Sequence, residues 1–162
     1  MLLTPCKKSI APVLLTAVLG VAGCASGPTL SELEVAPAAP APGQSRIAVY
    51  RSGIAGAAIQ PAINVNDVAT GACQPNSVFF VDLEPGQHTV TAATEVTRSV
   101  DVDTAVRPVS YVQCSIGFGL LVGRPNLAEV EVGVGTAAIN DLVFTGTYTI
   151  GSDGQLVESD VE

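Results

Sequence analysis

The chain has 162 residues, enough for one ordinary domain with appendages, and its aromatic content is 4% with no Trp, so any core must be built mainly from Val, Ile, Leu and Ala. Seven basic and fifteen acidic side chains give a net charge of −8. A body that acidic repels nucleic acid backbones and anionic lipid surfaces, which excludes nucleic acid as a partner.

Residues 1–23 have the order of a secretory signal: Lys7 and Lys8, an apolar run, then small residues ahead of Cys24. From residue 10 to residue 23 the run would be about 21 Å long as a helix at ~1.5 Å per residue. A stable span needs roughly 20 residues. Pro5, Pro12, Gly20 and Gly23 also argue against a buried core helix. The tetrapeptide Val21-Ala22-Gly23-Cys24 resembles a bacterial lipobox. That resemblance implies lipidation of the Cys24 thiol, cleavage just before it and acylation of the new amino group. At ~0.8 kcal/mol per buried methylene, several acyl chains anchor a protein almost permanently. Removal of both lysines would leave five arginines against fifteen carboxylates. Ala25 rather than Asp follows the Cys, which by analogy with enterobacterial sorting implies an outer-membrane protein facing the periplasm.

Residues 24–44 comprise the Cys and a Pro/Ala-rich stretch whose four prolines oppose helix and ladder formation. Extended at about 3.1 Å per residue, it would act as a passive tether with a reach of ~60 Å. A domain over residues 45–142 and a C-terminal hairpin or tail over 143–162 complete the expected organisation.

From Ser45 onward, short alternating segments are separated by turn residues. Strands are expected at 46–51, with Ile47 and Val49 on one face, and at 62–66, ending in an Asn66-Asp67 turn. Residues 77–83 run into Glu84-Pro85-Gly86, where Pro presets φ and Gly would supply a positive φ. Residues 87–94 then return, so 77–94 reads as a hairpin. Further strands are expected at 97–103, 109–115 and 127–135, followed by a short helical turn at 136–142. A last hairpin would join 148–150 to 155–157 through Ser152-Asp153-Gly154. The pattern predicts an all-β fold, a small antiparallel β-sandwich of seven or eight strands.

The succession AVYR, INVND, VFFVDLEPGQHTV, YVQC and PNLAEVEV resembles an uncharacterised family of bacterial lipoprotein domains. The LEPGQHTV segment is also similar to PEGA-type surface domains, which are small β-sandwiches. The resemblance covers roughly residues 46–142 and implies a fold and an envelope location; it supplies no catalytic residue and no cofactor.

With Cys6 discarded and Cys24 lipidated, Cys73 and Cys114 are left, and in an oxidising envelope they form a disulfide. No CxxC supports a redox or metal pair. His88, the sole histidine, lies two residues past the Pro85-Gly86 turn without a nucleophile motif, and reads as a packed strand residue. Asp101 and Asp103, like Glu129 and Glu131, alternate with valines and read as solvated faces; neither pair provides the six to eight oxygens of a calcium site. The glycine-rich GFGLLVGRP at 117–125 precedes no helix start and carries only Arg124, so it is no phosphate cradle. Its Phe118, Leu120 and Leu121 form an apolar loop tip, either packed down or offered to a partner. These features favour a non-enzymatic, membrane-anchored envelope module that contacts another protein. The alternative is a module binding a small peptide or glycan, although few aromatics are available for sugar stacking. An envelope hydrolase lacks a nucleophile–base constellation.

Overall fold

The computed structural model describes residues 25–158, so Cys24 and the expected signal segment over residues 1–23 lie outside the described residues. Ten strands form two sheets. The larger contains β1 (Ser45–Arg51), β4 (Ser77–Leu83), β7 (Val109–Gly117), β8 (Arg124–Val130), β9 (Val143–Ile150) and β10 (Leu156–Glu158), in the order β10-β9-β4-β1-β7-β8. The smaller contains β2 (Ala62–Val65), β3 (Val68–Ala72), β5 (Gln87–Ala93) and β6 (Thr97–Asp103), in the order β3-β2-β5-β6. The smaller sheet is antiparallel throughout. The larger is mixed, because β1 pairs with β7 and β4 with β9 in parallel. The expectation of seven or eight wholly antiparallel strands is corrected accordingly.

Ile47, Val49, Phe79, Val81, Val112 and Cys114 of the larger sheet meet Ile63, Val65, Val90, Ala92 and Val102 of the smaller in one core. Phe79 and Tyr148 pack edge to face there, with ring centroids 5.9 Å apart. A second apolar layer covers the opposite face of the six-stranded sheet. Ala48, Tyr50, Val78, Phe80 and Tyr111 are roofed there by Ile139 and Leu142. β1 and β4 are therefore buried along their whole length, on both faces, as central strands of covered sheets are.

Ile139 and Leu142 lie where a short helical turn is expected, but the helix begins earlier, inside the stretch 127–135 that alternation marks as strand. β8 stops at Val130, and Val132–Ile139 forms the single α-helix among the described residues, α1. Val and Gly are poor helix formers, so tertiary packing decides the outcome. A Cβ at Gly135 would lie 2.2 Å from Tyr111 Cγ, so only glycine permits the helix to sit this close to the Tyr111 ring. Thr136 then donates from Oγ1 to the Tyr111 hydroxyl at 2.9 Å, or accepts from it.

Residues 77–94 do not form a hairpin. β4 pairs with β1 and β9, whereas β5 pairs with β2 and β6. The tight Glu84-Pro85-Gly86 link instead carries the chain from one sheet to the other. Gly86 is not among the residues with positive φ; Thr104 holds it, its amide donating to the Gly86 carbonyl at 2.9 Å. The Asn66-Asp67 turn does form, with φ of 50° and 67°, the left-handed pair of a two-residue hairpin between β2 and β3.

The proline-rich stretch does not stand free. Thr29 bridges Val143, the Leu30 amide donates to the Leu142 carbonyl at 2.8 Å, and Leu30 packs on the second apolar layer. Further along, Arg46 donates from Nη2 to the Ala38 carbonyl at 2.7 Å. The segment is a strap laid along the outer face of the six-stranded sheet. At the other terminus, β9 lies within that sheet beside β4, which makes the C-terminal hairpin integral to it.

Candidate functional site

The apolar loop between β7 and β8 is exposed and held in shape. Phe118 is fully exposed, Leu120 is 85% exposed and Leu121 88%. The loop's order comes from Glu95, in the turn between β5 and β6 of the other sheet. Its carboxylate accepts from the Leu120 amide at 3.0 Å, the Leu121 amide at 3.2 Å and the Val122 amide at 3.4 Å. It also accepts from Arg124 Nε at 2.8 Å, and Thr94 donates from Oγ1 to the Gly123 carbonyl at 3.0 Å. One carboxylate thus satisfies three consecutive backbone donors and one guanidinium, presenting the side chains of the tip outward. Sequence reasoning found the tip but not Glu95, since a single acid in a turn carries no signal of what it binds across two sheets.

The Arg124 guanidinium, ahead of the Leu120 and Leu121 amides, holds the Glu95 carboxyl at about 2, well below the usual carboxylate range. A depressed folded-state value means that the support is complete above the ordinary carboxyl pKa and is lost as the pH falls toward 2. In amide NMR spectra the Leu120, Leu121 and Val122 signals are expected to keep their neutral-pH positions through mild acid and to move only near pH 2. Movement centred near ~4.3, the ordinary value for Glu, would show that the carboxylate does not hold the loop.

Cys73 and Cys114 are joined, with Cα atoms 6.1 Å apart, which links the end of β3 to β7 and so one sheet to the other. Both cysteines are buried. Arg51, fully buried on the inner side of β1, donates to the carbonyls of Cys73 and Ile59 and thereby ties down the loop between β1 and β2. His88 has both ring nitrogens engaged: Nε2 meets the Glu84 carbonyl at 2.9 Å and Nδ1 meets Asn66 Nδ2 at 2.8 Å. Asn66 Oδ1 accepts from the Thr89 amide at 3.1 Å. That orients its Nδ2 as the donor toward His88, leaving Nε2–H to donate to Glu84. No nucleophile is positioned beside it by these contacts. Asp101 accepts from Thr89 at 2.8 Å, Asp103 accepts from the Ala105 amide at 3.0 Å and Glu129 lies 3.5 Å from Arg107. Glu131 stands at the start of α1, off the strand that Glu129 belongs to. No group of three or more metal-ligating side chains occurs among the described residues.

A half-open groove of about 770 Å³ lies between the strap and the six-stranded sheet, lined by Glu34, Gln44, Arg46, Asp82, Thr147 and Thr149 among others. Arg46 and Asp82 face each other across β1 and β4 in register. They pair through two bonds, Nε to Oδ1 at 2.6 Å and Nη2 to Oδ2 at 2.7 Å. The guanidinium also lies 4.5 Å from the Phe80 ring centroid.

Fold and site together define a β-rich, two-sheet, disulfide-linked domain with a protruding apolar loop. The chain is similar to an uncharacterized protein of Haemophilus influenzae, at 27% identity over 134 residues that span 77% of this chain and 80% of that one. No family model and no solved structure matches it. Among the described residues no helix is long and apolar enough to cross a membrane, and the disulfide suggests an oxidising, extracytoplasmic location.

Proposed function

We propose that this is a lipid-anchored, non-enzymatic protein of the bacterial envelope, held at the outer membrane facing the periplasm, whose β domain is an interaction or structural module. The observation that carries the reading is Val21-Ala22-Gly23-Cys24 at the end of an apolar run too short to span, behind Lys7 and Lys8. The disulfide supports it through the redox compartment it requires. The resemblance to lipoprotein domains of unknown function and to PEGA-type sandwiches points the same way. A second reading, a module for a small peptide or glycan, is favoured by the groove under the strap, where the apolar Leu33, Val35 and Pro37 face Arg46, Asp82, Thr147 and Thr149; a ligand that raises the melting temperature, with no protein co-purifying from solubilised membranes, would support it.

Cells fed labelled palmitate are expected to label the full chain, to accumulate its precursor under globomycin, and to do neither once Cys24→Ser is introduced. The variant should appear in the soluble fraction. A Cys24→Ser chain that stays equally membrane-bound refutes lipid anchoring.

A further inference from the structure

The fold brings the start of the described chain and the apolar tip to one end of the domain. β1 ends at Arg51 opposite Ser77, where β4 begins. Ser77 stands opposite Val143, where β9 begins, and Thr29 bridges Val143. The Phe144 amide donates to the Pro28 carbonyl at 3.1 Å, so the chain is pinned at that end from residue 28 onward. β7 runs parallel to β1 with Tyr50 opposite Gln113. Its last residue, Gly117, therefore lies about 10 Å beyond the level of Arg51 at ~3.3 Å per residue. The tip that carries Phe118, Leu120 and Leu121 projects past the end at which Pro28 is held.

Charge is distributed in the same sense. Asp67, Glu84, Asp101, Asp103 and Asp153 sit in the turns and strand ends of the opposite pole. At the tip's own pole Glu95 is paired with Arg124, Glu32 accepts from the Thr29 amide at 2.9 Å, and Asp141 lies between α1 and β9. The Leu120, Leu121 and Val122 amides already have an acceptor in Glu95, so those three donors need no water when the tip enters an apolar phase.

From this arrangement we infer that Phe118, Leu120 and Leu121 insert into the surface of the same phospholipid layer that holds the acyl chains of Cys24. The inference rests on the lipid-anchor reading, because three residues separate Cys24 from Pro28 and the four extended steps between them reach at most about 14 Å. Lipidation then brings this pole to the membrane and turns the acidic pole away from it.

The protein has no Trp, so Phe118→Trp introduces a lone fluorophore at the tip, and Val106→Trp, between β6 and β7 at the far pole, a matched control. Lipidated full-length protein reconstituted into phosphatidylcholine/phosphatidylethanolamine vesicles is expected to show blue-shifted emission for Phe118→Trp, quenched by lipids brominated on their acyl chains. Val106→Trp should keep the emission of water-exposed indole. Adding Leu120→Ser and Leu121→Ser to Phe118→Trp should reduce the quenching to that of the control. Vesicle flotation separates the two ways of failing. Protein that floats while the Phe118→Trp indole remains in water overturns the insertion and leaves the anchor standing. Protein that neither floats nor carries lipid on Cys24 overturns the anchor and the insertion with it. An indole exposed on vesicles but buried in native membranes assigns the tip to a membrane protein and overturns the lipid contact.

Discussion

Asp82→Ala is expected to destabilise the domain by about 3–5 kcal/mol, the cost of leaving a buried guanidinium without its carboxylate. The side chains of Arg46 and Asp82 are each only 8% exposed, and the pair is bidentate and in register across neighbouring strands. The Phe80 ring and the Ala38 carbonyl remain beside Arg46 after the substitution, but neither carries a compensating charge. Replacing both partners with apolar residues, as in Arg46→Met with Asp82→Leu, should recover most of the loss, because no uncompensated charge remains. The double variant should nevertheless loosen the strap, since Met cannot donate to Ala38. Chemical denaturation measures the first effect, and hydrogen exchange over residues 33–44 the second. A single Asp82→Ala variant as stable as the parent would show that the pair is not desolvated.

Removing the Cys73–Cys114 bridge is expected to cost about 4 kcal/mol, the chain-entropy value for a loop of this length. For a domain of this size that corresponds to a fall of roughly 15 °C in melting temperature. Cys73→Ala with Cys114→Ala is the informative variant, because both sites are buried and a serine hydroxyl there would need a hydrogen-bond partner. The denaturant m-value should rise as well, since an unfolded chain without the cross-link exposes more surface. Equal melting of oxidised and reduced protein would rule out a structural role. The bridge matters here because it joins the two sheets, and the core between them is built largely of Val, Ile, Ala and Leu.

The strands were legible in proportion to how regularly they alternate and how clearly they are punctuated. Residues 97–103 and 77–83 agree with β6 and β4 end to end, and Asn66-Asp67 marked its hairpin turn. β3 was missed because VATGA is short and carries a glycine one residue from its end. Gly71 is there because a Cβ would come within 2.8 Å of the Phe79 ring. The exposed tip was visible in GFGLLVG as an apolar group without helical or strand period, whereas its support was not.

Sequence alone determined the local facts: which segments favour extended backbone, where short turns can close, and which two cysteines of the β domain can pair. Those follow from side-chain sterics, turn chemistry and composition, which act over a few residues. Only the tertiary structure decided which sheet each strand joins, because two strands joined by Glu84-Pro85-Gly86 can pair or part with the same local pattern. Packing on Tyr111 made a helix of an alternating Val-Gly segment. The contacts of Leu30, and of Arg46 with the Ala38 carbonyl, made a docked strap of a proline-rich tether. Parallel register beside β1 carried Phe118, Leu120 and Leu121 beyond the pole where residue 28 is pinned, and Glu95 from the other sheet fixed them there. Each of these depends on residues far apart in the chain meeting at one place, which no local pattern encodes.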